Sequence, residues 1–201
     1  LRNFRDKMYS ELLSSADNCL TINLNAVAKN WLYLNELSSK KTKTAAMVKG
    51  NGYGFGSNDV AKALCEVGCD LFFVANLVEA IELNQFFLKS KFKNKKIFVL
   101  HGVHSGQEPE FERHKLIPVL NNLEQILRWL GFAKKINSKI PALIHFDTGM
   151  NRLGLDKTES RWLIENKHIL EGLNVHFIMS HLSSGELPHD KENKKQLLKF
   201  Q

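Results

Sequence analysis

Six short runs in which apolar side chains follow one another without alternation punctuate the chain: AAMVK (Ala45–Lys49), LFFVA (Leu71–Ala75), KIFVL (Lys96–Leu100), LIPVL (Leu116–Leu120), ALIHF (Ala142–Phe146) and VHFIMS (Val175–Ser180). Each is too short for a buried helix and too uniformly apolar for a strand with one wet face, so they predict central parallel strands. Amphipathic stretches lie between them. SNDVAKALCEVG offers Ser57 or Asn58 as an N-cap and Gly68 as a stop, and NLVEAIELNQFFL opens on Asn76 with Glu79 three residues on. NNLEQILRWLGFAKK and DKTESRWLIEN repeat the pattern. Strands alternating with helices predict βα units and a parallel sheet covered by helices. Periodicity does not report closure, so a doubly wound sheet and a barrel both fit. Six runs fall short of the eight strands that a (β/α)8 barrel closes in about 250 residues. The last residues, KKQLLKFQ, read as the helix after the sixth strand, and the chain begins without Met. The expectation is a fragment whose missing part lies beyond its carboxyl end.

With 201 residues and 43% hydrophobic content the chain can bury a core, and its length suits one domain or a large part of one. The opening LRNFRDKMYSELLSS interleaves charge with apolar side chains, so neither a signal peptide nor a membrane span is read there, and the expected location is the cytoplasm. Cys19, Cys65 and Cys69 lack metal-ligand or CxxC spacing and are assigned no chemistry. The net charge of +7 raises a nucleic-acid reading. Its best support, KSKFKNKK (Lys89–Lys96), falls between a helix pattern and an apolar run, where a solvated loop explains it, so nucleic acid is not an expected partner.

Chemistry gathers at the carboxyl ends of the runs, where parallel α/β folds carry their sites. Lys49 closes the first run and is followed by Gly50, Gly52, Gly54 and Gly56, whose backbone permits close approach of a ligand. A lysine there is either a desolvated amine suited to a Schiff base or an ordinary strand-end cation reaching water. Neither GxGxxG nor GxxxxGK[ST] is present, so a phosphate cradle has weak support. In HFDTGMNRLG, His145 and Asp147 alternate onto one face and Arg152 stands in the following loop; the arginine could grip a carboxylate or phenolate, or Asp147 could cap the turn and leave Arg152 on the surface. His181 follows the sixth run. No metal-binding set is read.

These residues sit in words that resemble a known family. VKGNGYGFG resembles the cofactor-lysine signature of alanine racemases, usually VKANAYGHG; DTGMNRLG resembles their DTGMGRLG loop and IMSHLSS their MTHFA segment, while LTINLNAVAKNWLYL looks like their opening strand and first helix. The likeness runs from about Leu20 to the end. It implies a pyridoxal 5'-phosphate (PLP)-dependent racemase of alanine, supplying D-alanine for peptidoglycan, with a (β/α)8 TIM-type barrel, a C-terminal β domain and a homodimer that shares its active sites. On this reading residues 1–19 are an N-terminal extension and residues 20–201 the barrel, truncated to about six βα units, with the β domain absent. The resemblance makes Lys49 the cofactor lysine and one of two bases at Cα, and places Tyr53 at the cofactor phosphate. Arg152 would face the phenolic oxygen and the substrate carboxylate, His181 the hydrogen bonds behind the pyridine ring, and Leu100 would join the cofactor contacts.

The sequence also departs from that pattern. The second base of the family, a tyrosine of the partner's β domain, has no counterpart in this chain, nor has the arginine that contacts the pyridine nitrogen. His145 stands where many relatives carry a carbamylated lysine that orients the arginine, and Phe55 where the signature has histidine. Two bare sheet edges and an opening strand TINL without a partner are expected, with poor solubility. Two other readings stay open: a non-catalytic PLP-holding barrel, against which DTGMNRLG speaks, and a decayed remnant without activity.

Overall fold

The computed structural model describes residues 18–201. Most of the expected extension 1–19 therefore lies outside the described residues. The first element is helix α1 (Leu24–Glu36), capped by Asn23, whose Oδ1 accepts from the Ala26 amide at 3.1 Å. The expected opening strand TINL is not formed: residues 18–23 have no regular structure and Leu24 already begins the helix. A strand needs a ladder partner, and among the described residues none pairs with these.

The six predicted strands are all present: β1 (Ala46–Met47), β2 (Leu71–Val74), β3 (Lys96–Val99), β4 (Ile117–Leu120), β5 (Pro141–His145) and β6 (Asn174–Met179). They form one parallel sheet in the order β1-β2-β3-β4-β5-β6. That order decides what periodicity left open. A doubly wound sheet reverses its strand order at a switch point, whereas a barrel wall runs monotonically, as here.

Alternation along the strands sends side chains to two different cores. Phe72, Val74, Ile97, Val99, Leu120, Ala142 and Ile144 join a large cluster with the helices α2 (Ser57–Glu66), α3 (Leu77–Lys89), α4 (Glu108–Arg113), α5 (Leu123–Lys135) and α6 (Lys157–Glu165). Each helix offers a stripe at helical spacing, such as Ala80, Leu83 and Phe87 of α3 or Ile126, Trp129 and Ala133 of α5. Trp129 is buried and its Nε1 donates to the Pro141 carbonyl at 3.0 Å, tying α5 to the start of β5. The opposite face holds a smaller cluster made only of strand and strand-end residues, Phe98, Ile117, Val119 and Leu143 with Leu71, Phe73, Leu100 and Met179. Helices thus cover one face, and the other is the interior wall of a partial barrel.

The strands are not all central. β6 is an edge, with Phe177 44% and Ile178 57% exposed, and on β1 Met47 is exposed as well. The apolar runs read as uniformly buried because the sequence records what a strand would pack against, not whether that partner is present. A 3-10 turn (Lys167–Gly172) precedes β6, and helix α7 (Lys191–Phe200) follows it.

Candidate active site at the carboxyl edge of the sheet

β1 ends at Met47, so Lys49 is not the last residue of its strand; it opens a turn (Lys49–Tyr53) directly above Met47, on the side of the sheet's interior face. Gly50, Asn51, Gly52 and Tyr53 all have left-handed φ values of +52 to +65°. An L side chain resists that conformation by about 1–2 kcal/mol, least for Asn, so glycines at 50 and 52 keep the turn accessible. Gly52 is also packed: a Cβ there would stand 3.1 Å from the Ser57 amide nitrogen. The turn closes through Gly52 N–H to the Val48 carbonyl (2.9 Å) and Gly54 N–H to the Gly50 carbonyl (3.0 Å).

Helix α2 lacks the predicted side-chain cap. Its N-cap is Gly56, and Ser57 is already helical; Asn51 reaches across the turn instead, its Oδ1 accepting from the Ser57 amide at 3.0 Å. In α3 Asn76 does cap, accepting from the Glu79 amide at 3.1 Å, but the Glu79 carboxylate does not close the capping box. It accepts from the Ala75 amide (2.8 Å) at the end of β2 and from the Gly50 amide (2.9 Å), pinning the peptide next to Lys49. Lys49 itself is half-buried, Tyr53 is 62% exposed and Leu100 closes the interior cluster beneath.

The second wall comes from β5 and the loop after it. Asp147 caps that loop, its Oδ1 accepting from the amides of Gly149 (2.8 Å) and Asn151 (3.1 Å). Arg152 is exposed, and among the described residues its guanidinium has no ion pair. His145 is 6% exposed, two residues beyond Leu143 and on the same interior face. Partial desolvation and then the charges of Arg152 and Lys49 push the His181 ring below its ordinary titration range. Burial and then His181 do the same to His145, against an opposite pull from Asp147 that exceeds the small contribution of Arg152. Lys49, Arg152, His145 and His181 therefore share one electrostatic neighbourhood.

Gln196 of α7 joins the site from the helix after the sixth strand. It is 2% exposed; its Nε2 donates to the His181 carbonyl (2.9 Å) and to Thr148 Oγ1 (3.3 Å), and its Oε1 accepts from the Ser183 amide (2.9 Å). The Arg152 loop and the His181 loop are thereby fastened to one side chain. Nothing in KENKKQLLKF distinguishes this glutamine from its neighbours. A cavity of about 990 Å³ opens between α6 and the end of α7 beside Ile178, and neither Lys49 nor His181 lines it. Cys65 and Cys69 are buried, which pushes each thiol up to about 11 and leaves both inert.

A family model described as alanine racemase, N-terminal domain, matches residues 22–201. The chain belongs to the alanine racemase family. The alanine racemase of Brucella ovis is 41% identical over 186 residues, covering 92% of this chain and 46% of the relative. That of Rickettsia canadensis is 40% identical over 181 residues, covering 90% and 50%. Among solved structures, the alanine racemase of Bartonella henselae with covalently bound pyridoxal phosphate superposes with a TM-score of 0.83 at 37% identity, over 89% of this chain and 51% of that one. The chain thus spans about half the length of the alanine racemases it matches, and its six strands with their helices are part of the family's N-terminal barrel.

Proposed function

We propose that the chain is the cofactor-holding half of a PLP-dependent racemase acting on alanine. The observation that carries this reading is half-buried Lys49 in the left-handed turn at the carboxyl edge of β1, next to a Gly50 amide held by Glu79. The residues fit the cofactor: an amine for its aldehyde carbon, an unpaired guanidinium for its anionic oxygens, and a buried His145 Nε2 left without a partner among the described residues. When bound, PLP supplies an electron sink for the pair left at the substrate Cα.

The chain's own residues do the rest. Lys49 holds the cofactor and moves a proton at Cα on one face. Arg152 orients an anionic oxygen with its planar fork. His181, whose protonation is disfavoured by partial desolvation and by the charges of Arg152 and Lys49, lies beside them after β6. Tyr53 offers a hydroxyl to the phosphate from the open side of the left-handed turn, and Leu100 supplies an apolar wall. The second base comes from a partner subunit in a homodimer. Alanine is the substrate and D-alanine for peptidoglycan the use, in the cytoplasm; no described helix is long and apolar enough to cross a membrane.

Titration of the chain with PLP, followed by borohydride reduction and peptide mass spectrometry, tests the reading. A reduced adduct on Lys49 that is lost in Lys49→Ala supports it. Equal labelling of wild type and Lys49→Ala would sink the assignment of Lys49.

A further inference from the structure

Helix α7 is held to the rest of the fold by side-chain amides rather than by apolar packing. Gln196 is its one buried residue, and Leu197 and Leu198 beside it stand open to water. Apolar burial is non-directional and tolerates sliding, whereas hydrogen bonds fix an orientation. Every capacity of this amide is used. Its Nε2 donates to the His181 carbonyl and to Thr148 Oγ1, and its Oε1 accepts from both the amide (2.9 Å) and the hydroxyl (3.0 Å) of Ser183. The reversed amide would set its oxygen against the His181 carbonyl and its NH2 group against the Ser183 amide, so the orientation is forced. Three residues earlier on the same helix face, Asn193 Nδ2 donates to the carbonyls of Ser184 (3.0 Å) and Leu187 (2.8 Å). The loop after β6 is thereby laid along α7 from His181 to Leu187.

The loop after β5 is drawn into the same junction. Thr148 is 4% exposed, and its Oγ1 meets Ser180 Oγ at 2.6 Å as well as Gln196. Ser180 precedes His181, so the two loops are joined twice, and both joints run through Thr148 Oγ1. A Cβ on Gly149 would stand 3.4 Å from Gln196 Cγ, which puts the backbone of this loop against the stem of the glutamine. From Thr148 the constraint reaches the site in short steps: Asp147 accepts from the Gly149 and Asn151 amides, and Asn151 adjoins Arg152. Thr148 and Gln196 are both buried, so a bond lost between them is not made good by water as it would be at the surface.

We propose that Gln196 is a positioning residue that couples the two loops: through its amide, the loop carrying Arg152 and the loop carrying His181 hold their places together or lose them together. Gln196 does this without touching a ligand. That the coupled loops serve cofactor binding rests on the proposed function; the coupling itself does not.

Hydrogen exchange of single amides in the ligand-free chain, followed by NMR, tests the coupling. The Ser183 amide, bonded to Gln196, reports the loop after β6, and the Gly149 amide, bonded to Asp147, the loop after β5. Coupling is reciprocal, so each loop must respond to a change made in the other. Thr148→Val, a near-isosteric change, is expected to speed exchange at Ser183 about tenfold, the worth of one hydrogen bond, and Gln196→Met to speed exchange at Gly149 by a similar factor. In either variant the His181 ring should titrate nearer its ordinary range, while His176, at the other end of β6, does not move. A Ser183 amide that ignores Thr148→Val, or a Gly149 amide that ignores Gln196→Met, overturns the coupling. Should Gln196→Met release α7 altogether, seen as fast exchange along the whole helix, Thr148→Val decides alone. PLP affinity supplies the second arm: each single variant is expected to bind about tenfold more weakly, and the double variant no more weakly than the worse single, whereas a loss equal to the product of the two also overturns the coupling. A wild type that takes up no PLP refutes the proposed function instead, and exchange then decides the coupling by itself.

Discussion

Replacing Glu79 by alanine is expected to loosen the turn that carries Lys49 before it disturbs the sheet. The Glu79 carboxylate holds the amides of Ala75 and Gly50, and so joins the end of β2 to the turn after β1. The partly buried bond to Ala75 contributes about 1.5–3 kcal/mol and the exposed bond to Gly50 about 1, because water replaces the carboxylate there. Against them stand Asn51 and Tyr53 at φ +52 and +56°, which favour unwinding by about 1–2 kcal/mol each. The two sums are of similar size, so without Glu79 the strain falls on the turn's own closing bonds. A loss of about 2.5–4 kcal/mol lowers Tm by roughly 5–16 °C in a domain of this length. Circular-dichroism melting checks the global loss, and hydrogen exchange over residues 45–57 checks its location, with exchange there rising most. Glu79→Gln keeps one acceptor but turns an NH2 group toward a donor, and should lose at least half as much. A Glu79→Ala chain that melts within about 2 °C of wild type, with exchange unchanged at 50–56, would falsify the claim that this carboxylate holds the turn.

Three further outcomes are expected. His145, His181 and His176 all titrate below their ordinary 6.5 in the fold, so the unfolded chain binds more protons. Stability is then complete above the unfolded pKa and falls as pH drops through it toward the folded values. The slope is at most about 1.4 kcal/mol per pH unit for buried His145 and smaller for the wetter rings. Urea midpoints at about pH 7.5 and about pH 5 check this, and a higher midpoint at the lower pH contradicts it. Trp129→Ala removes a buried ring that stacks on Phe132 and meets Phe111 edge-on, and should destabilise by about 3–5 kcal/mol in chemical denaturation, whereas Leu127→Ala on the exposed side of the same helix should cost under about 1. A thiol reagent under native conditions should label Cys19 and spare Cys65 and Cys69, as read by mass spectrometry; rapid labelling of all three would mean that the α2 end of the core opens readily.

The strands were legible because unbroken apolar runs leave little choice of period, and all six formed where they were read. What the runs could not tell was which of them would lack a neighbour, since Phe177 and Ile178 are as apolar in a bare edge as in a covered strand. Closure was invisible for the same reason, and became decidable only from the strand order. Asn76, Asn122 and Asp156 cap their helices as local chemistry suggests, each accepting amide bonds from the first turn. Ser57 does not, because a left-handed turn precedes it and brings Asn51 to its amide; φ values of that sign were hinted at by the glycines alone. In the site, Lys49, Arg152 and His181 were found through words that resemble a family. Gln196 and the bridging role of Glu79 were not, because an amide or carboxylate becomes informative only when its partners, 29 to 48 residues away, are known.

The monotonic strand order has a consequence for how the chain is made. Each strand pairs with the one synthesised just before it, so a partly translated chain meets its next hydrogen-bonding partner as soon as one more βα unit leaves the ribosome. No strand waits in solution for a distant sequence, and loop-closure entropy is met in small, equal instalments. Growth proceeds at one open edge, with the newest strand always the most exposed. Among the described strands β6 is the latest to join, and it is also the one whose apolar side chains, Phe177 and Ile178, stand most open to water.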